Sequence, residues 1–138
     1  VASTPESGLW RAFKAAAPPK TFLQRIENRH GGGIPDVYAL LDKLPVWAEL
    51  KVAGKSHLKV SPHQVAWHTA YWARGGLSYF LAKAPSPRNY VLFPGSAALD
   101  LAKTPWTEVP GERFETLFEV WEYLRTEVRG HYRGVLRP

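Results

Sequence analysis

Apolar and polar positions alternate with a period of two over residues 34–41 and 46–52, the pattern of half-buried β-strands. Val37, Ala39, Leu41, Val46, Ala48, Leu50 and Val52 share one face, and Asp36, Tyr38, Leu40, Trp47, Glu49 and Lys51 share the other. If Asp42-Lys43 forms a two-residue turn, residues pair when their numbers sum to 85, which sets Asp36 opposite Glu49. Helical spacing marks three further segments. Residues 5–17 carry Leu9, Trp10 and Phe13 as an apolar stripe, with Thr4 as N-cap, Pro5 at the first helical position and Pro18-Pro19 as a stop. Ser61, Pro62 and Gln64 form a helix start with a capping box, and that helix runs to Arg74 before Gly75-Gly76. Residues 112–129 repeat Phe114, Leu117, Phe118, Trp121, Leu124 and Val128 at helical intervals. Weaker strand patterns cover 21–29, 77–83 and 89–93, and the glycine loop at 30–33 lets another backbone or a ligand approach closely. The order helix, three strands, helix, two strands, helix predicts an α/β fold with a mixed central sheet.

Length and composition narrow the class. A chain of 138 residues fits one domain, with a core over about 5–95 and a C-terminal helical extension over about 96–138. With 45% hydrophobic and 22% charged residues, the balance is globular. The absence of cysteine excludes a zinc ribbon, a disulfide framework and a cysteine nucleophile. No apolar run approaches a membrane span, so no membrane partner is expected and a cytoplasmic location is the default. The five histidines lack the close spacing of a zinc site, and Trp67 and Trp72 read as packing residues rather than base-stacking ones.

The formal charge of +6 matters less than its distribution. Residues 50–99 contain no acid but hold Lys51, Lys55, Lys59, Arg74, Lys83 and Arg88, with His57, His63 and His68 among them. The segment after Gly95 carries six basic and seven acidic side chains. Basicity therefore belongs to the middle of the chain, as expected of a part that faces a polyanion.

Two carboxylates facing each other across a hairpin, with Cβ atoms about 4.5 to 5.5 Å apart, repel and destabilise the sheet. A hard divalent cation such as magnesium compensates, because it prefers carboxylate oxygen and shares its shell with water and substrate phosphate. Lys51 points the same way as Glu49, where its ammonium could orient water and stabilise charge developing at phosphorus. The Leu50 carbonyl is a further candidate ligand. The competing reading is a salt-bridge cluster on a solvated strand face.

Gly33-Ile34-Pro35-Asp36-Val37, followed thirteen positions after Asp36 by Glu49-Leu50-Lys51 and then by Gln64 in a helix, resembles the PD-(D/E)XK nuclease superfamily. The likeness is greatest to small phage and bacterial nucleases of the VRR-NUC and Holliday-junction-resolvase-like kinds. It spans about residues 5–95, including Arg25-Ile26-Glu27-Asn28 and Gln64-Val65-Ala66-Trp67-His68. The resemblance implies a restriction-endonuclease-like αβββαβ core and hydrolysis of DNA phosphodiesters in a bacterial or phage-infected cell. Asp36 and Glu49 would hold Mg2+, with Mn2+ as substitute, while Lys51 and Gln64 assist. A first-helix glutamate often completes such sites; Glu6 matches that place, and Glu27 is its rival. Glu6 also reads as an acid favoured by a helix N-terminus, and Gln64 as a cap alone. Lys55, Lys59, His57 and His63 follow the catalytic strand where phosphates would lie, with Arg25, Arg29 and His30 as a second set. Resolvases of this kind work as symmetric homodimers, an assembly the sequence leaves open. The alternative function is a nucleic-acid-binding module on the same fold without catalysis.

The acid-free stretch predicts that DNA affinity falls steeply with salt, because each neutralised phosphate releases counterions. Lys55→Ala and Lys59→Ala should each flatten the logarithmic salt slope by about one unit on any DNA sequence. A slope unchanged in the double variant would move the DNA path towards Arg25, Arg29 and His30.

Overall fold

The computed structural model describes residues 4–27, 32–85 and 89–136. Helix α1 (Pro5–Ala15) starts as its sequence dictates: Thr4 Oγ1 accepts from the Ser7 N–H, the Thr4 N–H donates to Ser7 Oγ, and Pro5 occupies the first turn. Leu9 and Phe13 are buried from it. Six strands follow in a single sheet whose spatial order is their chain order: β1 (Phe22–Arg25), β2 (Val37–Leu41), β3 (Leu44–Val52), β4 (Ser78–Lys83), β5 (Tyr90–Pro94) and β6 (Glu112–Phe114). Every neighbouring pair is antiparallel except β3 and β4, whose parallel pairing requires a crossover, supplied by α2 (Pro62–Ala73). The mixed sheet and the αβββαβ core order are as expected from sequence.

The β2–β3 hairpin has the anticipated register. Val37 pairs with Ala48, Tyr38 with Trp47 and Leu41 with Leu44. Asp42 and Lys43 both adopt positive φ, 53° and 70°, as a type I′ turn demands. The left-handed backbone is held from outside, because the Asp42 carboxylate accepts from Arg125 Nε at 2.9 Å and from Arg129 Nη2 at 2.7 Å.

One sheet face carries the main core: Val37, Ala39, Leu41, Val46, Ala48, Leu50 and Leu81 pack against Leu9 and Phe13 of α1 and against Trp121, Leu124 and Val128 of the last helix. Val52, assigned to that face by alternation, lies at the strand end and is 40% exposed. A second cluster covers the other face under β4 and β5, where Phe80, Ala82, Val91 and Phe93 meet Ala98, Leu101 and Trp106. Those two strands are buried on both sides, so they read as continuous apolar runs.

The C-terminal segment differs from its sequence reading. Glu112–Phe114 is strand β6 on the sheet edge, and α4 spans Leu117–Leu136. Thr116 sets the later start: its Oγ1 accepts from the Glu119 N–H, and Glu119 Oε1 accepts from the Thr116 N–H. Phe118, counted on the apolar stripe, is 64% exposed. A short helix, α3 (Ala98–Lys103), had no sequence counterpart. Among the described residues, no helix is long and apolar enough to cross a membrane.

Trp121, 1% exposed, stacks on Phe13 with ring centroids 4.2 Å apart and donates its indole N–H to the Phe13 carbonyl at 2.8 Å. Trp121→Ala should therefore cost about 3–5 kcal/mol in urea unfolding, whereas Phe118→Ala should change stability by no more than about 0.5 kcal/mol. Equal losses would refute this docking of α4 on α1.

Candidate functional site

Asp36 immediately precedes β2, where the Ile26 N–H donates to its carbonyl at 2.6 Å and ties the chain to the end of β1. Its side chain is fixed on the other side, with Oδ2 accepting from the Leu50 N–H at 2.8 Å. In a strand the N–H and C=O of one residue point to the same edge, so the Leu50 carbonyl is turned towards Asp36 as well.

Helix α2 crosses the face that carries Trp47, Glu49 and Lys51, and one side of it meets all three. Trp67 lies against Trp47, His68 approaches Glu49, and Gln64 meets Lys51. The start of α2 is seated on the glycine loop: Gly33 has φ +75°, and a Cβ there would overlap the His63 carbonyl. Gln64 fills both roles considered for it. Its Oε1 accepts from the Ser61 N–H at 3.0 Å, closing the capping box, and from Lys51 Nζ at 3.1 Å.

This crossing corrects the expectation of a solvated acidic face. Glu49 is only 2% exposed, and Asp36 is half-buried. Burial is the main force that raises the Asp36 carboxyl to about 7; hydrogen bonding to Glu49 and the Glu49 charge add to it, while the Leu50 N–H and Lys51 oppose. Glu49 is also raised, first by burial and further by the charge of Glu6, against the Asp36 hydrogen bond and Lys51. The two acids thus share a hydrogen bond and a proton, and they titrate as a pair.

Beside them, Glu49 Oε1 and His68 Nε2 lie 3.9 Å apart, and both are buried without a hydrogen-bond partner. Burial lowers His68 to about 4, with the Lys51 charge acting the same way, so the imidazole is neutral and the contact is no ion pair. Its Nδ1 is 2.7 Å from Ser78 Oγ. The sequence reading missed this His68–Ser78 pair, although the spacing of four from Gln64 puts His68 on the same helical face.

The cleft around the acids measures about 310 Å³ and is lined by Ile26, Gly33, Ile34, Asp36, Glu49, Ser61, His63 and Gln64. Lys55, His57 and Lys59 are exposed on the connection from β3 to α2, with His57 Nδ1 2.8 Å from Ser56 Oγ. Arg25 is half-buried, with its guanidinium 5.6 Å from the Trp10 ring. Arg29 and His30 lie outside the described residues. Glu6 is exposed in the first turn of α1, and Glu27 is exposed beyond the end of β1. Among the described residues, no group of three or more His, Asp or Glu side chains is gathered to hold a metal ion, so Asp36 and Glu49 stand as a pair.

No protein-family model matches this sequence, and no curated protein matches it either. In three dimensions the chain is similar to Hjc, a Holliday junction resolvase of the archaeal hyperthermophile Archaeoglobus fulgidus. The TM-score is 0.52 at 17% identity, covering 89% of this chain and 96% of the resolvase. At that identity the likeness is one of fold, and it includes the restriction-endonuclease-like core.

The raised Asp36 carboxyl gives stability a definite pH dependence. A folded-state pKa of about 7 against an ordinary 3.8 means that its contribution is complete below 3.8 and is lost as pH rises through 7. In EDTA, unfolding free energy should fall between pH 4 and 8, and Asp36→Asn should be more stable than wild type at pH 8 by about 2 kcal/mol. Parallel pH profiles for the two proteins in urea titrations would contradict this.

Proposed function

We propose that this chain is a divalent-metal-dependent DNA endonuclease that hydrolyses phosphodiester bonds at Asp36, Glu49 and Lys51. The observation that carries the reading is the pairing of a buried, unpartnered Glu49 Oε1 with the elevated Asp36 carboxyl at an open cleft. Two such acids are costly in isolation, and a hard cation relieves both the repulsion and the missing contact. The donor set fits magnesium or manganese: two carboxylates, the Leu50 carbonyl and room for water. When bound, the ion supplies Lewis acidity and positive charge that offsets the charge developing at phosphorus.

The chain's own groups do the rest. The ion would favour the ionised form of the Asp36–Glu49 pair, so its binding would strengthen as pH rises. The Lys51 ammonium, held by Gln64 Oε1, is the donor for a phosphate oxygen or for the attacking water. Gln64 positions Lys51 and couples it to the helix start. Glu6 is the stronger candidate for a third carboxylate because its charge already acts on Glu49. Lys55, His57, Lys59 and His63 are the candidates for contacts to flanking phosphates, supported by their exposure on the acid-free segment from β3 into α2. The resolvase likeness brings branched DNA and a homodimer into this proposal as the first substrate and assembly to test.

Cleavage of duplex, single-stranded, flapped and four-way-junction DNA should need Mg2+ or Mn2+, proceed poorly with Ca2+ and stop in EDTA. Asp36→Ala, Glu49→Gln and Lys51→Ala should each lose about 100-fold or more in rate, with circular dichroism unchanged. Glutamine is chosen at 49 because the site is buried. Near-normal cleavage by two of these variants would end the assignment, and tight binding without cleavage by the wild type would mark a non-catalytic module.

A further inference from the structure

The strand face that carries the acids continues away from the cleft as a series of aromatic rings. Tyr38 lies two residues beyond Asp36 on β2, and Trp47 two residues before Glu49 on β3; the two pair in register with ring centroids 5.0 Å apart. Phe22 of β1 meets Tyr38 at 6.3 Å, and Trp67 of α2 meets Trp47 at 5.3 Å. Trp67 in turn stacks on Tyr71 at 4.8 Å and 23°. Five rings therefore cross three strands and a helix. Residues two apart on a strand are separated by about 7 Å, so the Tyr38–Trp47 rank lies roughly one nucleotide of an extended strand from the Asp36–Glu49 rank.

The run is only half-buried where the same sheet face is closed elsewhere. Under β4 and β5 that face is sealed, with Phe80 and Phe93 fully buried. At the other end Phe22 is 51% exposed, and Trp67, Ala70, Tyr71 and Arg74 border an open depression of about 270 Å³. Trp67 does pack edge-on against Trp47, as its helical spacing predicts, yet part of it also faces this depression. Arg74 Nη1 donates to the Ala70 carbonyl at 3.0 Å, which holds the guanidinium at the rim. No acid lies on this stretch of α2, and Asp42 at the hairpin turn is taken up by Arg125 and Arg129. Flat ring faces beside a cation, without competing carboxylates, match what unpaired bases of a nucleic acid use. Rings and an arginine also suit a protein partner, but the strip continues the face that carries Asp36 and Glu49, which favours the strand entering that cleft.

We propose that the Phe22, Tyr38, Trp47, Trp67 and Tyr71 strip is a stacking platform for unpaired nucleobases of the strand that enters the Asp36–Glu49 cleft. The substrate class is then DNA with unpaired nucleotides beside the cut, not continuous duplex. The location of the cut rests on the nuclease reading; the binding itself does not.

The test holds the whole protein in EDTA, so that binding is read without cleavage, and follows fluorescence anisotropy of a labelled oligothymidine, a duplex of equal length and a duplex with a short unpaired gap. Phe22→Ala and Trp67→Leu should each weaken the single-stranded and gapped ligands about tenfold and the intact duplex less than twofold. Replacing bases by abasic residues in the ligand should reproduce the loss with unaltered protein and an unchanged number of phosphates. Intact duplex bound as tightly as single strand, variants that weaken both alike, or abasic ligands bound at full affinity would each overturn the platform. Loss of self-association in Phe22→Ala with unchanged oligonucleotide binding would overturn it in favour of a second copy of this chain. Base-dependent binding in a protein that never cleaves would keep the platform and sink the nuclease reading.

Discussion

The register of the β2–β3 hairpin governs the site, because side chains on a strand alternate faces and a slip of one residue would exchange them. In the observed register, Asp36 and Glu49 meet above the sheet while Val37, Ala48 and Leu50 enter the main core. A slip of β2 would turn Asp36 towards the core of Leu9, Phe13 and Trp121, and a slip of β3 would turn Leu50 outward. Two separate devices resist it. The Asp42-Lys43 turn fixes the residue count between the strands, and the ion pairs from Asp42 to Arg125 and Arg129 tie that turn to α4. Helix α4 thus acts on the acid-bearing face from the opposite side of the sheet, through the turn.

The second constraint is the closure of that face by α2. Covering Glu49 removes it from water and raises both acids, a cost that only a cation or a proton offsets. The protein accepts this because the same helix places Gln64 on Lys51 and brings His68 to Glu49. Its position is set at one end by the close approach of Gly33 to His63 and at the other by the Trp72 indole, which donates to the Ser78 carbonyl at 2.9 Å. Gly33 and the crossover to β4 therefore hold the helix, and the helix holds the site.

Local periodicity made the hairpin, the Ser61–Gln64 capping box and the Asp36–Glu49 pairing readable in the sequence, since each depends on residues within about fifteen positions. What was not readable depends on long-range packing. The alternation on β3 marks an outward face but cannot say that α2 will cover it, so Glu49 was expected in solvent. The edge pairing of Glu112–Phe114 with β5 overrode a helical pattern that ran through it, and the Thr116–Glu119 capping box was the local signal that would have moved the helix start. The aromatic strip draws on β1, β2, β3 and α2, which no sequence window joins.

Charge shows the same separation of local from long-range information. The net +6 counts all basic residues equally, but they are not equivalent in the fold. Arg125 and Arg129 are engaged by Asp42, and Arg25 lies over Trp10. These side chains stabilise the hairpin turn and the α1 contact, so their charges are partly spent within the protein. Lys55 and Lys59 are exposed on the acid-free connection from β3 to α2, and Arg74 is exposed at the rim of the aromatic strip. The cations of the acid-free middle segment are thus left outward, although the C-terminal half contributes many of the formal charges. The distribution of charge along the chain, more than its sum, carries the functional information.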